Sequence, residues 1–393
     1  MKIKIEDIVD LYNSKNFQRA LNSVNKYIKI NVKNNQAYNL KGVILRALGR
    51  NNEALLNYDK AIKIKPNDLN AYNNKANILR QLKRYKEAEK IYKKTLEIDN
   101  SYFFGFFNLS QLYNEIGNYN ESENYALKAL SINNNSSQIY IELGISQKNL
   151  GKIDDSIKNF KKYLEFYPDS TKIKHQIDIL EGNCPETSPD DFIEDVFDSY
   201  AGRFDEHLIN SLNYSGPRFI KKIIRENFDK NKIFENIIDL GCGTGLNGNF
   251  LKNICDNLVG VDLSTNMLEK AKEKNIYDRL VKSNFIDFLQ EKKIQYDLFI
   301  AADVFIYTGK LDKIFELIKL RSKKESWIIF TIENQKNGNY NLQKSGRYTH
   351  SINYIKNLCK KNSFIINICE NFDLRLQDNE WVDGNIFLIN IFK

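Results

Sequence analysis

Hydrophobic and small residues in the first half of the chain recur with a fixed period of 34 residues. One column of small residues consists of Ala20, Ala54, Ala88, Ser122 and Ser156. A second column, with mostly larger side chains, consists of Val24, Tyr58, Tyr92, Ala126 and Phe160. Such columns predict units of two packed helices, because small side chains let the helices approach and larger ones fill the gaps between units. We expect five such units over residues 4–169.

These positions resemble the tetratricopeptide repeat (TPR). The matching pairs are Gly42 with Leu45, Ala76 with Leu79, Ala54 with Tyr58, and Ala88 with Tyr92. The first unit departs from the pattern, with Ile8 at a small position and Tyr27 where alanine is usual, so we expect it to act as a cap. The resemblance implies a solenoid that binds a peptide or another protein. A spacer or a dimerisation surface stays open as the alternative.

Turn-forming residues interrupt this period after residue 180. They include Gly182 and Pro189, and an amphipathic helical pattern follows over residues 191–204. Beyond Asn236, short apolar runs alternate with helical patterns, which predicts βαβ units and a largely parallel sheet. The predicted organisation is an all-α TPR solenoid over residues 1–180, a linker over 181–190 and an α/β domain over 191–393.

Seven apolar runs in the second half have the length of buried strands. In chain order they are residues 236–240, 257–262, 279–282, 297–301, 326–332, 364–370 and 385–392. A turn-rich connection separates the last two, which predicts a closing antiparallel strand. That feature is typical of the Rossmann-like, seven-stranded class I methyltransferase fold, and a plain dinucleotide-binding fold lacks it.

The first of these strands leads into the sequence Asp239-Leu240-Gly241-Cys242-Gly243-Thr244-Gly245. Glycines let the backbone turn tightly and pass against a bound ligand. Asp239 can face an amino group or a bridging water, and Asp262, at the end of the second strand, can accept both ribose hydroxyls of a nucleoside. Met267 either lines the adenine edge or belongs to the core. The candidate cofactor contacts of this region are Asp239, Gly241, Cys242, Gly243, Gly245, Asp262, Leu263 and Met267.

A dinucleotide cofactor is the alternative, because Gly243, Gly245 and Gly248 match a GxGxxG pattern. In a dinucleotide site a pyrophosphate lies at the helix N-terminus, where the carboxylate of Asp239 would repel it. The same carboxylate favours a ligand that carries an ammonium and a sulfonium. We therefore predict S-adenosylmethionine as the cofactor and keep a nicotinamide-dependent oxidoreductase as a competing hypothesis.

Four further segments are residues 197–208 (FDSYAGRFDEHL), 212–214 (LNY), 302–307 (ADVFIY) and 345–351 (SGRYTHS). They resemble a bacterial family of predicted TPR-containing methyltransferases. The resemblance implies that Tyr200, Arg203 and Phe204 lie over the cofactor, although ordinary core packing of the two aromatic residues stays open. It also places Asn284 and Phe285 where the fold usually has an aspartate for the adenine amine. The amide oxygen of Asn284 can accept that bond.

Methyl transfer from a sulfonium is an in-line displacement, so alignment and desolvation of the reactants matter most. A base assists an oxygen or amine nucleophile, and the candidates are Asp303, Tyr307 and, in a predicted loop, His350. A structural role for His350 stays open. The fourth strand is followed by no Asn/Asp-Pro-Pro-Tyr motif, no nucleophilic cysteine and no glutamate pair. A hydroxyl, carboxyl or amine on a small molecule or a protein therefore remains as the acceptor.

Composition and charge add only limits. A chain of 393 residues exceeds one ordinary core, which fits two domains. The net charge is +8, but the basic residues are spread along both halves, which disfavours a nucleic-acid surface. Five cysteines without a CxxC pair and three histidines predict neither a metal site nor a disulfide framework. No segment approaches the roughly 20 apolar residues of a membrane span, so we expect a cytoplasmic protein.

Two functions from different classes follow. The leading hypothesis is a methyltransferase whose repeats bind a protein or peptide. The alternative is a TPR interaction protein whose methyltransferase domain binds the cofactor but is weakly active or inactive.

Overall fold

The computed structural model describes residues 4–206, 208, 212–291, 293–377 and 380–392. The chain divides into two compact units, Met1–Pro168 and Asp169–Lys393. The sequence patterns placed the end of the solenoid at residue 180, whereas the structure groups residues 169–180 with the second unit. The reason is apolar packing, because Ile179 lies in one cluster with Phe192 and Tyr348.

Helices alone make up the described part of the first unit, and they follow one another as five pairs. They are α1 (Ile5–Asn13), α2 (Phe17–Ile30), α3 (Asn35–Ala47), α4 (Asn51–Ile64), α5 (Leu69–Gln81), α6 (Tyr85–Ile98), α7 (Phe103–Glu115), α8 (Tyr119–Ile132), α9 (Ser137–Asn149) and α10 (Ile153–Phe166). The pairing confirms the helical repeats that the 34-residue period predicts.

In two helix pairs, a glycine on the first helix packs against an aromatic residue of the larger column on the second helix. Tyr58 and Phe160 are fully buried. A Cβ atom added to Gly42 would lie 2.4 Å from the ring of Tyr58, and one added to Gly144 would lie 2.3 Å from the ring of Phe160. The glycine is therefore a packing requirement of its aromatic partner, which explains why Gly42 and Gly144 recur with the same period as Tyr58 and Phe160.

The second unit combines helices with one sheet. Its helices are α11 (Thr171–Glu181), α12 (Asp190–Tyr200), α13 (Phe204–Glu206), α14 (Gly216–Asn227), α15 (Gly248–Leu251), α16 (Thr265–Glu273), α17 (Phe285–Glu291), α18 (Asp312–Arg321) and α19 (Ile352–Asn362). Its strands are β1 (Phe234–Leu240), β2 (Cys255–Asp262), β3 (Arg279–Lys282), β4 (Tyr296–Ala301), β5 (Ser322–Asn334), β6 (Tyr340–Leu342), β7 (Tyr348–His350), β8 (Phe364–Gln377) and β9 (Glu380–Phe392).

The strand order confirms a Rossmann-like fold with a closing antiparallel strand. Strands β3, β2, β1, β4 and β5 are neighbours in that order and run parallel. Strand β9 then pairs antiparallel with both β5 and β8. Since the strand order reverses between β1 and β4, the carboxyl ends of these two strands flank the crevice where such sheets bind ligands.

Strands β6 and β7 extend the sheet at the carboxyl end of β5, where Glu333 pairs with Thr349 and Asn334 with His350. The sequence patterns missed this hairpin because each strand has only three residues. They also ended the sixth predicted strand at residue 370, whereas β8 continues to Gln377. The apolar run stops at residue 370 because charged and polar residues follow within the strand.

Among the described residues, none of the helices combines the length and the apolar character that a membrane crossing requires.

Candidate functional site

A cavity of about 330 Å³ lies at the carboxyl ends of β1, β2 and β4. This size falls within the range of about 300–1,000 Å³ that is usual for ligand pockets. Its walls come from α12, the glycine loop after β1, the end of β2, the start of α17 and the segment after β4. Gly241, Cys242 and Gly243, all predicted cofactor contacts, line it.

The glycine loop turns through backbone conformations that favour glycine. Gly241, Gly243 and Gly245 have φ angles of 62°, 53° and 82°. The amide of Cys242 donates to the carbonyl of Val261 at 3.1 Å, which fixes the loop to β2. Among the described residues, a Cβ atom on Gly243 would meet only the ring of Phe204, at 3.8 Å. The loop therefore presents bare backbone to the cavity.

Asp262 faces the cavity from the end of β2, and backbone amides hold its carboxylate. Gly243 N donates to Oδ2 at 2.8 Å, and Ser264 N donates to Oδ1 at 2.8 Å. Burial raises the pKa of this carboxyl group, and the two backbone hydrogen bonds oppose that shift. Because a carboxylate has about four acceptor positions, each oxygen keeps capacity for a ligand hydroxyl.

Asp239 lies beneath the glycine loop and does not line the cavity. It is buried, with 1 % of its surface exposed, and Tyr277 donates its hydroxyl to Oδ2 at 2.7 Å. Among the described residues its Oδ1 atom accepts no hydrogen bond of ordinary length, although the nearby side chain of Asn247 lowers the pKa of the carboxyl group. Burial raises the pKa of Asp239 to about 7. A buried acceptor without a partner is costly, so a donor such as an ammonium or a water fits this position.

Helices α12 and α13 cover the glycine loop. Phe204 lines the cavity, and Phe197 contacts both Phe204 and Tyr307 edge to face, at centroid distances of 6.0 and 5.3 Å. Hydrogen bonds fasten this cover to the site, since Thr244 donates to Asp205. The side chains of Tyr200 and Arg203 lie outside the described residues.

The end of the cavity near α17 contains Leu263, Asn284 and Phe285, three of the predicted cofactor contacts. Both polar atoms of the Asn284 amide are engaged within the protein. Its Oδ1 accepts from Ile286 N at 2.8 Å, and its Nδ2 donates to Oδ1 of Asp190 at 2.7 Å. Met267 is fully buried and does not line the cavity, so the structure places it in the core.

The opposite end of the cavity contains Asp303 and Tyr307 next to Arg375. Arg375 is almost fully buried and donates from Nη1 to both carboxylate oxygens of Asp303, at 2.9 and 2.7 Å. Its Nη2 atom donates to Glu333. Two acidic side chains thus share one guanidinium, and burial raises the pKa of both Glu333 and Tyr307.

His350 is not part of the cavity, which corrects its predicted position in a loop near the acceptor. It lies in β7 and is fully buried. Its Nε2 atom lies 2.9 Å from the carbonyl of Thr308 and 3.0 Å from that of Gly309. Burial lowers the pKa of His350 to about 4, so the ring is neutral at physiological pH. His350 lies here because the buried carbonyls of the segment after β4 need a hydrogen-bond donor, which its ring supplies.

Sequence reasoning assigned no role to several residues that the structure brings to the cavity. They are Asp190, Tyr214, Arg347 and Arg375. Arg347 and Tyr214 stand in segments that carry the family resemblance, which was the available signal. Arg375 lies in the part of β8 that the patterns assigned to a connection, so its sequence gave no signal of a site.

Comparison with protein families fits both units. Residues 238–324 match the family model described as a methyltransferase domain. Residues 34–101 and 67–135 match a model of the tetratricopeptide repeat, and residues 137–170 match a further model of the same repeat. The chain therefore contains tetratricopeptide repeats and a methyltransferase domain. A search of curated proteins finds no match.

Two of the solved structures that match the chain are a repeat protein and a methyltransferase. A tetratricopeptide repeat protein from Parabacteroides merdae ATCC 43184 is 21% identical, with 45% of this chain and 72% of that chain covered and a TM-score of 0.40. The magnesium protoporphyrin IX methyltransferase (ChlM) from Synechocystis PCC 6803, solved with bound SAH, is 14% identical, with 51% of this chain and 99% of that chain covered and a TM-score of 0.40.

Proposed function

We propose that the second unit is an S-adenosylmethionine-dependent methyltransferase that acts on an oxygen or nitrogen nucleophile. One observation carries the proposal. The glycine loop is framed by two carboxylates, Asp239 beneath it and Asp262 beside it, and both have unused acceptor capacity. The match of residues 238–324 to a methyltransferase domain supports the same assignment.

The residues present fit this cofactor. Asp262 is assigned to the ribose hydroxyls, because backbone amides fix its carboxylate toward the cavity. Gly243 is assigned to close backbone contact, since only the ring of Phe204, of the residues described, lies near its Cβ position. The Oδ1 of Asp239 is assigned to the methionine ammonium, through a bridging water because Asp239 does not line the cavity. A pyrophosphate near this carboxylate is electrostatically unfavourable, which argues against a dinucleotide.

When bound, the cofactor supplies an electrophilic methyl group on a sulfonium, with a good leaving group. The protein has to align the nucleophile and exclude water. Phe197 and Phe204 cover the site and are assigned to exclude water. Asp303 is the acidic side chain after β4 that lines the cavity, and we assign it the proton of the nucleophile. Tyr307 stays a neutral phenol, because burial raises its pKa, and it is assigned to hold the acceptor as a hydrogen-bond donor.

For the first unit we propose binding of a protein or peptide that brings the acceptor to the domain. The tetratricopeptide matches over residues 34–135 and 137–170 support this role. Phe104 gives a position for a test, because this large apolar side chain on α7 is 51 % exposed. A photoreactive phenylalanine analogue at Phe104 is expected to cross-link to the same species that becomes methylated. Cross-linking to none of the methylated species contradicts the recruitment role.

An interaction protein with a cofactor-binding but weakly active domain is the second candidate. It is favoured by the pairing of Asp303 with Arg375, because that carboxylate is already engaged by two hydrogen bonds. The two candidates differ in turnover and not in cofactor binding.

The deciding experiment is incubation of the full-length protein with tritiated S-adenosylmethionine and lysate. We expect a discrete labelled species, and we expect Asp262→Ala to abolish the labelling. Asp256→Ala is the matched control, because Asp256 lies exposed on the same strand. Labelling of no fraction, together with retained cofactor binding, contradicts the enzyme and supports the interaction protein.

A further inference from the structure

Asp190 and Asn284 come from distant parts of the chain and meet at one end of the cavity. Asp190 is the first residue of α12, and Asn284 directly precedes α17. The amide Nδ2 of Asn284 donates to Oδ1 of Asp190 at 2.7 Å, and both residues line the cavity. The pair therefore joins the covering helix α12 to the end of the cavity that contains Leu263 and Phe285.

The amide of Asn284 is poorly placed to be the main acceptor at this end. Its Oδ1 already accepts from Ile286 N at 2.8 Å, and its Nδ2 is committed to Asp190. One lone pair remains on Oδ1, but hydrogen bonds to charged acceptors are about twice as strong as those to neutral ones. The neighbouring carboxylate is therefore the stronger acceptor for a donor that enters the cavity.

The Oδ2 atom of Asp190 is the part of this pair that faces no protein donor among the described contacts. Asn284 engages Oδ1, which holds one side of the carboxylate and leaves Oδ2 without a described protein donor, on a partly exposed residue that lines the cavity. Burial raises the pKa of Asp190, and the carboxylates of Asp287, Asp191 and Glu194 raise it further, whereas the bond from Asn284 lowers it. Asn284 thus favours the charged form that accepts most strongly.

We propose that Asp190 accepts the hydrogen bond of the adenine 6-amino group and that Asn284 is the positioning residue that holds it there. The inference rests on the proposed function, since it concerns the cofactor of that function. The fold usually has an aspartate after β3, where this chain has Asn284. In this proposal a carboxylate on α12, that of Asp190, takes its place. Specificity for a 6-amino purine then depends on α12, which also contributes Ile193, Val196 and Phe197 to the cavity wall.

The test compares two nucleosides that differ in the donors and acceptors at the 6-position and N1. S-adenosylhomocysteine carries a 6-amino donor and an N1 acceptor, and S-inosylhomocysteine carries a 6-oxo acceptor and a proton on N1. Titration calorimetry of the full-length protein is expected to give about 10- to 100-fold tighter binding of the adenosyl compound, the range for one hydrogen bond to a charged group. A 6-oxo group facing Asp190 would bring two acceptors together.

Substitution of Asp190 is expected to remove this preference. In Asp190→Asn the new amide can donate to a 6-oxo group. The affinity ratio, that of the adenosyl compound over the inosyl compound, is therefore expected to fall at least about tenfold. Asp190→Ser, which keeps a favourable residue at the start of α12, is expected to reduce the ratio as well. Asn284→Ala is expected to lower it about two- to fivefold, because Asp190 remains but is no longer held.

Asp191→Asn is the matched control. Asp191 lies in the same first turn of α12 and has the same charge, but it accepts from Thr171 at 2.9 Å and does not line the cavity. Its ratio is expected to equal that of the wild type. Thermal unfolding of each variant reports whether it folds.

A merely structural role for Asp190 predicts that both ligands weaken equally and that their ratio stays constant. A wild-type ratio in folded Asp190→Asn or Asp190→Ser therefore overturns the inference while leaving the proposed function intact. If the wild-type protein binds neither compound, the proposed function fails and this inference fails with it.

Discussion

The two ends of the cavity hold their carboxylates in different ways. At the end that we assign to the nucleoside of the cofactor (the nucleoside end), backbone amides of Gly243 and Ser264 fix Asp262. At the end that we assign to the methyl acceptor (the acceptor end), Arg375 binds both Asp303 and Glu333. Neutral amides leave the charge and the spare lone pairs of a carboxylate available, whereas a guanidinium neutralises the charge. We therefore assign hydroxyl and amine donors to the nucleoside end, whereas at the acceptor end one guanidinium offsets part of the charge of two acidic groups.

Removal of Arg375 is expected to have the largest effect on stability. In Arg375→Met the buried Glu333 and the partly buried Asp303 lose their shared partner, and breaking a buried ion pair costs about 3–5 kcal/mol. We expect the free energy of unfolding, from denaturant titration, to fall by about that amount.

The charge explanation has its own control. Combining Arg375→Met with Asp303→Asn and Glu333→Gln is expected to recover part of the loss, because no unpaired charge then remains. If the triple variant is as unstable as Arg375→Met, lost packing of the arginine and not unpaired charge explains the effect.

The next largest expected effect is the loss of folding stability in acid caused by His350 in β7. The pKa of His350 is lowered to about 4 by burial, below its unfolded value of about 6.5. The stabilisation by the neutral ring is complete above pH 6.5 and is lost as the pH falls toward 4, which amounts to about 3 kcal/mol.

We therefore expect His350→Gln to flatten the dependence of the unfolding free energy on pH between 6.5 and 4. His175→Gln is the comparison, because burial also lowers the pKa of His175. An unchanged slope in His350→Gln contradicts the buried neutral ring.

At the nucleoside end, Asp262→Ala is expected to weaken binding of S-adenosylhomocysteine about 100-fold, or about 2.7 kcal/mol. The reason is the loss of two hydrogen bonds to one charged group. Isothermal titration measures the effect, and Arg375→Met is expected to change this affinity far less. Equal losses in both variants contradict the separation of the two ends.

The smallest effect concerns Asp239. Its pKa of about 7 means that the carboxylate ionises as the pH rises through neutrality, and a ligand ammonium prefers the ionised form. We expect the affinity for S-adenosylhomocysteine to rise about five- to tenfold from pH 6 to pH 7.5. Asp239→Asn is expected to remove this dependence, and a dependence that persists in the variant assigns it to another group.

The same contrast explains what the sequence predicted. The repeats were predictable because each contact, such as that of Gly42 with Tyr58, recurs at a fixed spacing. The glycine loop was predictable because Asp239 and Asp262 frame one short motif. Both are local patterns, in which a residue type at a given spacing has one physical use.

The remaining contacts join distant segments, which a pattern along the chain does not contain. Arg375 reaches Asp303 across 72 positions, and Asn284 reaches Asp190 across 94. His350 was assigned to a loop because a three-residue strand has no periodic signal. Its partners are backbone carbonyls, which no side-chain pattern reveals.

We propose that the cavity above the glycine loop binds the nucleoside of S-adenosylmethionine and not a dinucleotide. Parallel calorimetric titrations of the full-length protein with S-adenosylhomocysteine and with NAD separate the two possibilities. We expect one site per chain for S-adenosylhomocysteine, weakened in Asp262→Ala, and no binding of NAD. Binding of NAD without binding of S-adenosylhomocysteine would contradict the proposal.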